Sequence, residues 1–133
     1  MSQSLEQKRA AYAWERVSGC SEKYEKLAKA APSLVMGNGL LQTLAFMQSK
    51  SDEKHYKDLL SHILVWLARQ DVCGSFITKG DFPTAVQALT APDRSSEGYM
   101  RATQEALAIL RWIRQLAAAE RTGRTKATTG GQP

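Results

Sequence analysis

Apolar residues recur every three to four positions along nearly the whole chain, and no segment alternates strictly enough to read as a strand. The pattern predicts an all-α fold: a compact single-domain bundle of about five to six helices with a long C-terminal helix. Ser4 and Gln7 have the spacing of a capping box and open a helix to about Ser18, with Ala10, Ala13, Trp14 and Val17 sharing its buried face. Gly19 interrupts it. A second helix from Ser21 to Ala31 buries Tyr24, Leu27, Ala28 and Ala31, and Pro32 resets the backbone before a short helical turn, SLVM. Gly37, Asn38 and Gly39 form a breaker in front of a helix from Leu40 to about Lys50.

Asp52 is placed to cap a longer helix reaching Arg69, whose stripe of Tyr56, Leu59, Leu60, Ile63, Trp66 and Leu67 faces the core. The helical period is lost from Asp71 to Gly80, and Asp81 with Pro83 starts a short helix to Leu89. Ser95 or Ser96 then caps the clearest helix, in which Tyr99, Thr103, Ala106, Leu107, Leu110, Ile113 and Ala117 keep helical spacing to about Arg121. At about 1.5 Å per residue it spans roughly 35–40 Å, the width of a small domain. The domain therefore covers residues 1–121. The stretch 122–133, TGRTKATTGGQP, has no bulky apolar residue to offset the entropy of ordering and is expected to be a mobile tail.

Charge changes the picture only slightly. The net +5 includes Arg121, Arg124 and Lys126; without them 15 basic residues face 13 acidic ones, a net +2, so a nucleic-acid role requires clustered rather than summed charge. No apolar run approaches the roughly 18 residues of a membrane span, and the N-terminus MSQSLEQKRAAY lacks the apolar stretch of a secretory signal. A cytoplasmic location without membrane contact is expected. Cys20 and Cys73 have neither CxxC spacing nor a histidine close in sequence, which fits idle thiols rather than a disulfide framework or a zinc site.

Candidate chemistry is sparse. His55 and His62 lie two helical turns apart, roughly 10 Å along the axis, too far to hold one metal ion as an i, i+4 pair does. Asp58 sits between them and can orient an imidazole, but the three read first as a solvated helix flank with an ordinary ion pair. Gly37-Asn38-Gly39 lacks the lysine and serine of a phosphate loop. No carboxylate pair sits in an apolar setting, and no cationic cluster favours either thiolate. Neither catalysis, metal nor cofactor is expected.

Surface texture is more informative. Leu5, Arg9, Tyr12 and Arg16 form one ridge of the first helix, interleaving basic groups with an aromatic ring in the manner suited to phosphate contact and base stacking. The competing reading makes Tyr12 a cover for the core edge and the arginines solvated. On the last helix Arg101, Gln104, Glu105, Ala108, Arg111 and Gln115 share the polar face, and Trp112 at its margin is an interface candidate unless a wider apolar arc through Ile109 and Leu116 takes it into the core. The RNA-contact candidates are thus Arg9, Tyr12, Arg16, Arg101 and Arg111.

Four blocks in this order carry a resemblance: LEQKRAAYAWERV; YEKLAKAAPSLVMGNGLLQTLAFMQSK with its NGL turn entering a Gln-x-Leu-Ala-Phe helix; HYKDLLSHILVWL; and SSEGYMRATQEALAILRWIRQLAAAE. Together they resemble the small helical subunit of the Cmr complex, the type III-B CRISPR effector of antiviral defense, over most of residues 5 to 120. The resemblance implies a non-catalytic subunit of a ribonucleoprotein that uses guide RNA to destroy complementary invader RNA. It further implies several copies stacked along the guide and target duplex, touching the repeated backbone subunit and the large polymerase-like subunit. The loop from Asp71 to Asp81 and the tail lie outside it. The alternative reading is a stand-alone helical RNA-binding module or ribonuclease using the His55, Asp58 and His62 flank.

Overall fold

The computed structural model describes the backbone of residues 3–130 and side chains through residue 125. Six helices follow in order: α1 (Leu5–Arg16), α2 (Glu22–Asn38), α3 (Leu40–Ser49), α4 (Lys54–Leu67), α5 (Phe82–Thr90) and α6 (Ser96–Gly130). No strand occurs among the described residues. The capping box at Ser4 forms in full: its hydroxyl accepts from the Gln7 amide, and the Gln7 side chain accepts from the Ser4 amide. Ser21, Asp81 and Ser95 cap α2, α5 and α6 through side-chain bonds to amides three residues on.

Helix α6 is the organising element and packs against α1, α2, α3 and α4, while α2 also rests on α3 and α4. Its buried stripe is Ala102, Ala106, Ile109, Leu110, Ile113 and Ala117; the three alanines leave room for neighbouring helices to approach closely. Trp66, Leu59, Ile63 and Leu67 of α4 meet it with Leu40, Leu44 and Met47 of α3 in one continuous core.

Several boundaries differ from the sequence pattern for physical reasons. Pro32 does not end a helix: it is buried inside α2, where packing of Tyr24, Leu27, Ala28, Ala31 and Val35 on both sides of it outweighs the lost backbone bond. Gly37 and Asn38 are helical, and Gly39 alone makes the break at φ +87°, ending α2 and starting α3 in a single residue. Glu53, not Asp52, precedes α4, and no side chain caps it.

The segment between α4 and α5 is non-helical, as the lost periodicity predicts, yet it is not peripheral. Val72, Cys73 and Ile77 are buried, and Gly74 lies so close to the Ala68 and Arg69 backbone that a Cβ would sit 2.7 Å from it. Burial explains the ordered loop: those side chains close the end of the core next to Leu67.

Helix α6 continues past Arg121 into the stretch expected to be a tail. Arg124 bonds Glu120 and donates to the Cys20 carbonyl at 2.6 Å, so this residue makes contacts that apolar content alone does not reveal. The end of that stretch, 131–133, lies outside the described residues.

Candidate functional site

Much of the α1 ridge is engaged inside the fold. Tyr12 is only 8% exposed; its hydroxyl donates to the His62 carbonyl at 2.6 Å and its ring packs 5.1 Å from that of Trp66. Burial pushes the Tyr12 phenol up to about 12, so it stays a neutral donor. Trp14, expected inside, is instead 53% exposed. The helix is rotated relative to the hydrophobic wheel because Tyr12 can bury its ring while its hydroxyl finds a carbonyl, whereas an indole gains less beside the Glu15 and Glu120 carboxylates that share its groove. Tyr12 therefore offers no face to a base.

Arg9 is also engaged. Its Nε donates to Glu105 Oε2 at 3.2 Å and its Nη2 bonds the other carboxylate oxygen. The indole N–H of the buried Trp66 turns to the same carboxylate at 3.4 Å. Glu105, read from sequence as part of the polar face, is in fact buried and gathers the α1, α4 and α6 helices around one charge. Such a pair in a largely desolvated seam satisfies the Arg9 guanidinium inside the fold.

The remaining candidates divide. Arg16 is exposed, stacks over the Tyr12 ring at 5.1 Å and pairs with exposed Glu15. Arg101 is exposed but donates to the Val72 carbonyl at 2.9 Å, tying α6 to the loop after α4. Arg111 stands exposed with no carboxylate partner among the described residues, and Arg114, which sequence reasoning did not single out, shares both properties. Trp112 is half-buried against the core with Leu116, as the wider apolar arc predicts; its remaining face lines a groove of about 450 Å³ with Glu6, Arg9 and Arg111.

A wider cleft lies elsewhere, where the α1–α2 turn faces the start of α4. It holds about 620 Å³ and brings together Arg16, Lys23, Lys54, His55, Asp58 and His62. The two histidines thus share one cleft, which the expectation of a solvated flank did not foresee for His62. Tyr24 donates its hydroxyl to His62 Nδ1 at 2.7 Å, and burial holds the imidazole near a pKa of about 4, against the smaller opposing pull of Asp58. It is neutral at pH 7. Asp58 is taken by Lys54 at 2.6 Å. Burial, helped by Glu120, raises the Cys20 thiol at the cleft edge, so it is no activated nucleophile. No three His, Cys, Asp or Glu side chains converge as a metal site among the described residues.

The family model described as CRISPR-associated protein (Cas_Cmr5) matches residues 5–120. The chain belongs to this family. It is a Cmr subunit of the type III-B CRISPR system, as the four sequence blocks imply. The match begins at the first residue of α1 and runs through most of α6, so it covers the Cas_Cmr5 helical body, the Arg9–Glu105 seam and the α4 cleft alike. Among the described residues of this family member no helix is long and apolar enough to cross a membrane.

Proposed function

We propose that this Cas_Cmr5 subunit is a non-catalytic building block of an RNA-guided effector that targets invader RNA. It helps form the filament along the guide and target RNA groove through protein contacts and phosphate contacts that do not read sequence. The observation that carries the reading is the outer face of α6, where Arg111, exposed and without a carboxylate partner among the described residues, lines a groove with the half-buried Trp112, and the exposed Arg114 follows three residues on. Arginines beside an aromatic edge suit both phosphate and subunit contacts. The repeated backbone subunit, the large polymerase-like subunit and further copies of this chain are the partners in this reading, in the cytoplasm.

A stand-alone ribonuclease gains a shared cleft for His55 and His62 but loses its chemistry. An imidazole with a pKa of about 4 and one nitrogen occupied by Tyr24 is a poor base at neutral pH, and Asp58 orients Lys54 rather than a histidine. Affinity purification of the tagged chain from its native host tests the proposal: guide RNA and further subunits are expected to copurify. Reconstituted complex carrying Arg111→Ala with Arg114→Ala should bind target RNA more weakly across all sequences and with a flatter salt dependence. RNA turnover by the purified chain that disappears in His62→Ala would reverse the reading.

A further inference from the structure

At the start of α4 the cleft continues onto an aromatic ledge, and His55 belongs to both. On one side it lines the cleft with Arg16, Lys23 and Lys54. On the other its ring packs 4.6 Å from that of Tyr56, and Tyr56 meets the ring of Phe46 edge to face at 5.8 Å. Phe46 is 39% exposed, a large apolar group on the outer face of α3, opposite its buried Leu40, Leu44 and Met47. Lys50 reaches over both rings, 5.7 Å from Phe46 and 5.8 Å from Tyr56.

Charge on this edge is only partly neutralised: Arg16 and Lys54 pair with Glu15 and Asp58. Neither Lys23 nor Lys50 has a carboxylate partner among the described residues, whereas Lys8, Lys26, Lys29 and Arg121 each sit against one. The cleft walls are mostly polar, with Arg16, Lys23 and Lys54 against Glu53 and Asp58, and suit a solvated phosphate held on the Lys23 side better than an apolar protein surface. The ledge beside it offers an aromatic edge with a cation already posed above π faces. A phosphodiester chain with a base attached presents both chemistries side by side: an anion for the cleft and a flat ring for the ledge.

We propose that the edge formed by the α1–α2 turn, the start of α4 and the end of α3 is a binding site for single-stranded RNA, with phosphate in the Lys23 and Arg16 cleft and an unpaired base stacked on Phe46. It rests on the reading of the chain as part of an RNA-holding assembly, and it adds a site distinct from the α6 face. A base can stack there only if it is unpaired, so the site selects single strands over duplex. Base identity matters little, because every base has a π face.

The test uses the purified full-length chain and a fluorescein-labelled oligouridylate of twelve nucleotides, followed by anisotropy at two salt concentrations. Phe46→Ala should weaken binding about tenfold, in the range for loss of one stacked base. Lys23→Glu should weaken it about fivefold and flatten the salt dependence, while Lys79→Ala on the α4–α5 loop leaves it unchanged. An oligomer with abasic sites should bind the wild-type chain about as weakly as the intact oligomer binds Phe46→Ala, a comparison that needs no folded variant. Equal affinity for intact, abasic and duplex probes would overturn the site. So would a Phe46→Ala chain that binds RNA normally but loses copurifying subunits, which would make the ledge a protein contact. Copurification of guide RNA with the wild-type chain is read separately, so failure of this site leaves the assembly reading standing, and absence of guide RNA there removes the assembly reading itself.

Discussion

The α1–α6 seam and the α4 edge are built from the same kinds of residues and end with opposite properties. In the seam an arginine and a tryptophan converge on Glu105, with Tyr12 packed on the tryptophan, and the charge is consumed inside: Arg9 and Glu105 retain only 20% and 10% side-chain exposure. At the edge, lysines, a tyrosine and a phenylalanine converge with no buried carboxylate between them; Asp58 takes Lys54, while Lys23, Lys50 and the Phe46 ring have no such partner among the described residues. A single buried acid separates a structural tie from a surface able to bind an anion. Basic and aromatic interleaving along a helix is therefore an incomplete signal until the acid that faces it across the fold is known.

Breaking the seam should produce the largest effect. Glu105→Ala leaves the Arg9 guanidinium half-buried without its partner and the Trp66 N–H unmet, and should cost about 3 kcal/mol of unfolding free energy in urea titration. A loss below about 1 kcal/mol would show the seam to be as solvated as the edge. Double substitution with Arg9→Met should recover part of the loss, since two uncharged residues leave no stranded ion.

The next effect belongs to the edge and appears as pH dependence. His62 titrates near 4 when folded and near 6.5 when unfolded, so between these values the unfolded chain binds the extra proton. Its contribution is complete above pH 6.5 and is lost progressively as pH falls to about 4. Allowing for partial solvent screening, the loss should reach about 2 kcal/mol in stability measured across that window. His62→Gln should flatten this limb; an unchanged slope would place the imidazole in water and make the edge more open than the burial of His62 implies.

Tyr12→Phe keeps the ring packed on Trp66 and removes only the bond to the His62 carbonyl, for about 1 kcal/mol by thermal denaturation. Phe46→Ala and Lys23→Ala at the edge should each stay within about 0.5 kcal/mol of wild type, because neither side chain is buried. Deletion of residues 122–133 should be similarly small: the contacts of Arg124 with Glu120 and Cys20 lie at the surface. A melting temperature many degrees lower would mean that the C-terminal stretch docks firmly rather than moving freely.

What the sequence determined by itself is local. Helix starts at Ser4, Ser21, Asp81 and Ser95 follow from a hydroxyl or carboxylate three residues before an amide, and the stripes of α4 and α6 follow from a 3.6-residue period; both are set within one or two turns. The four blocks also carried the family, because order and spacing along the chain survive without coordinates. Tertiary structure decided what each polar or aromatic group meets. Trp14 and Tyr12 lie two positions apart, and only the carbonyl of His62, 50 residues away, made Tyr12 the one to bury. Pro32 stayed helical because core packing on either side held it there. Arg9 is paired inside the fold because Glu105, 96 residues on, faces it, whereas Lys23, Lys54 and His55 became one cleft because the α1–α2 turn folds over the start of α4. Burial and pairing are properties of neighbours in space, and for these residues the neighbours are distant in the chain.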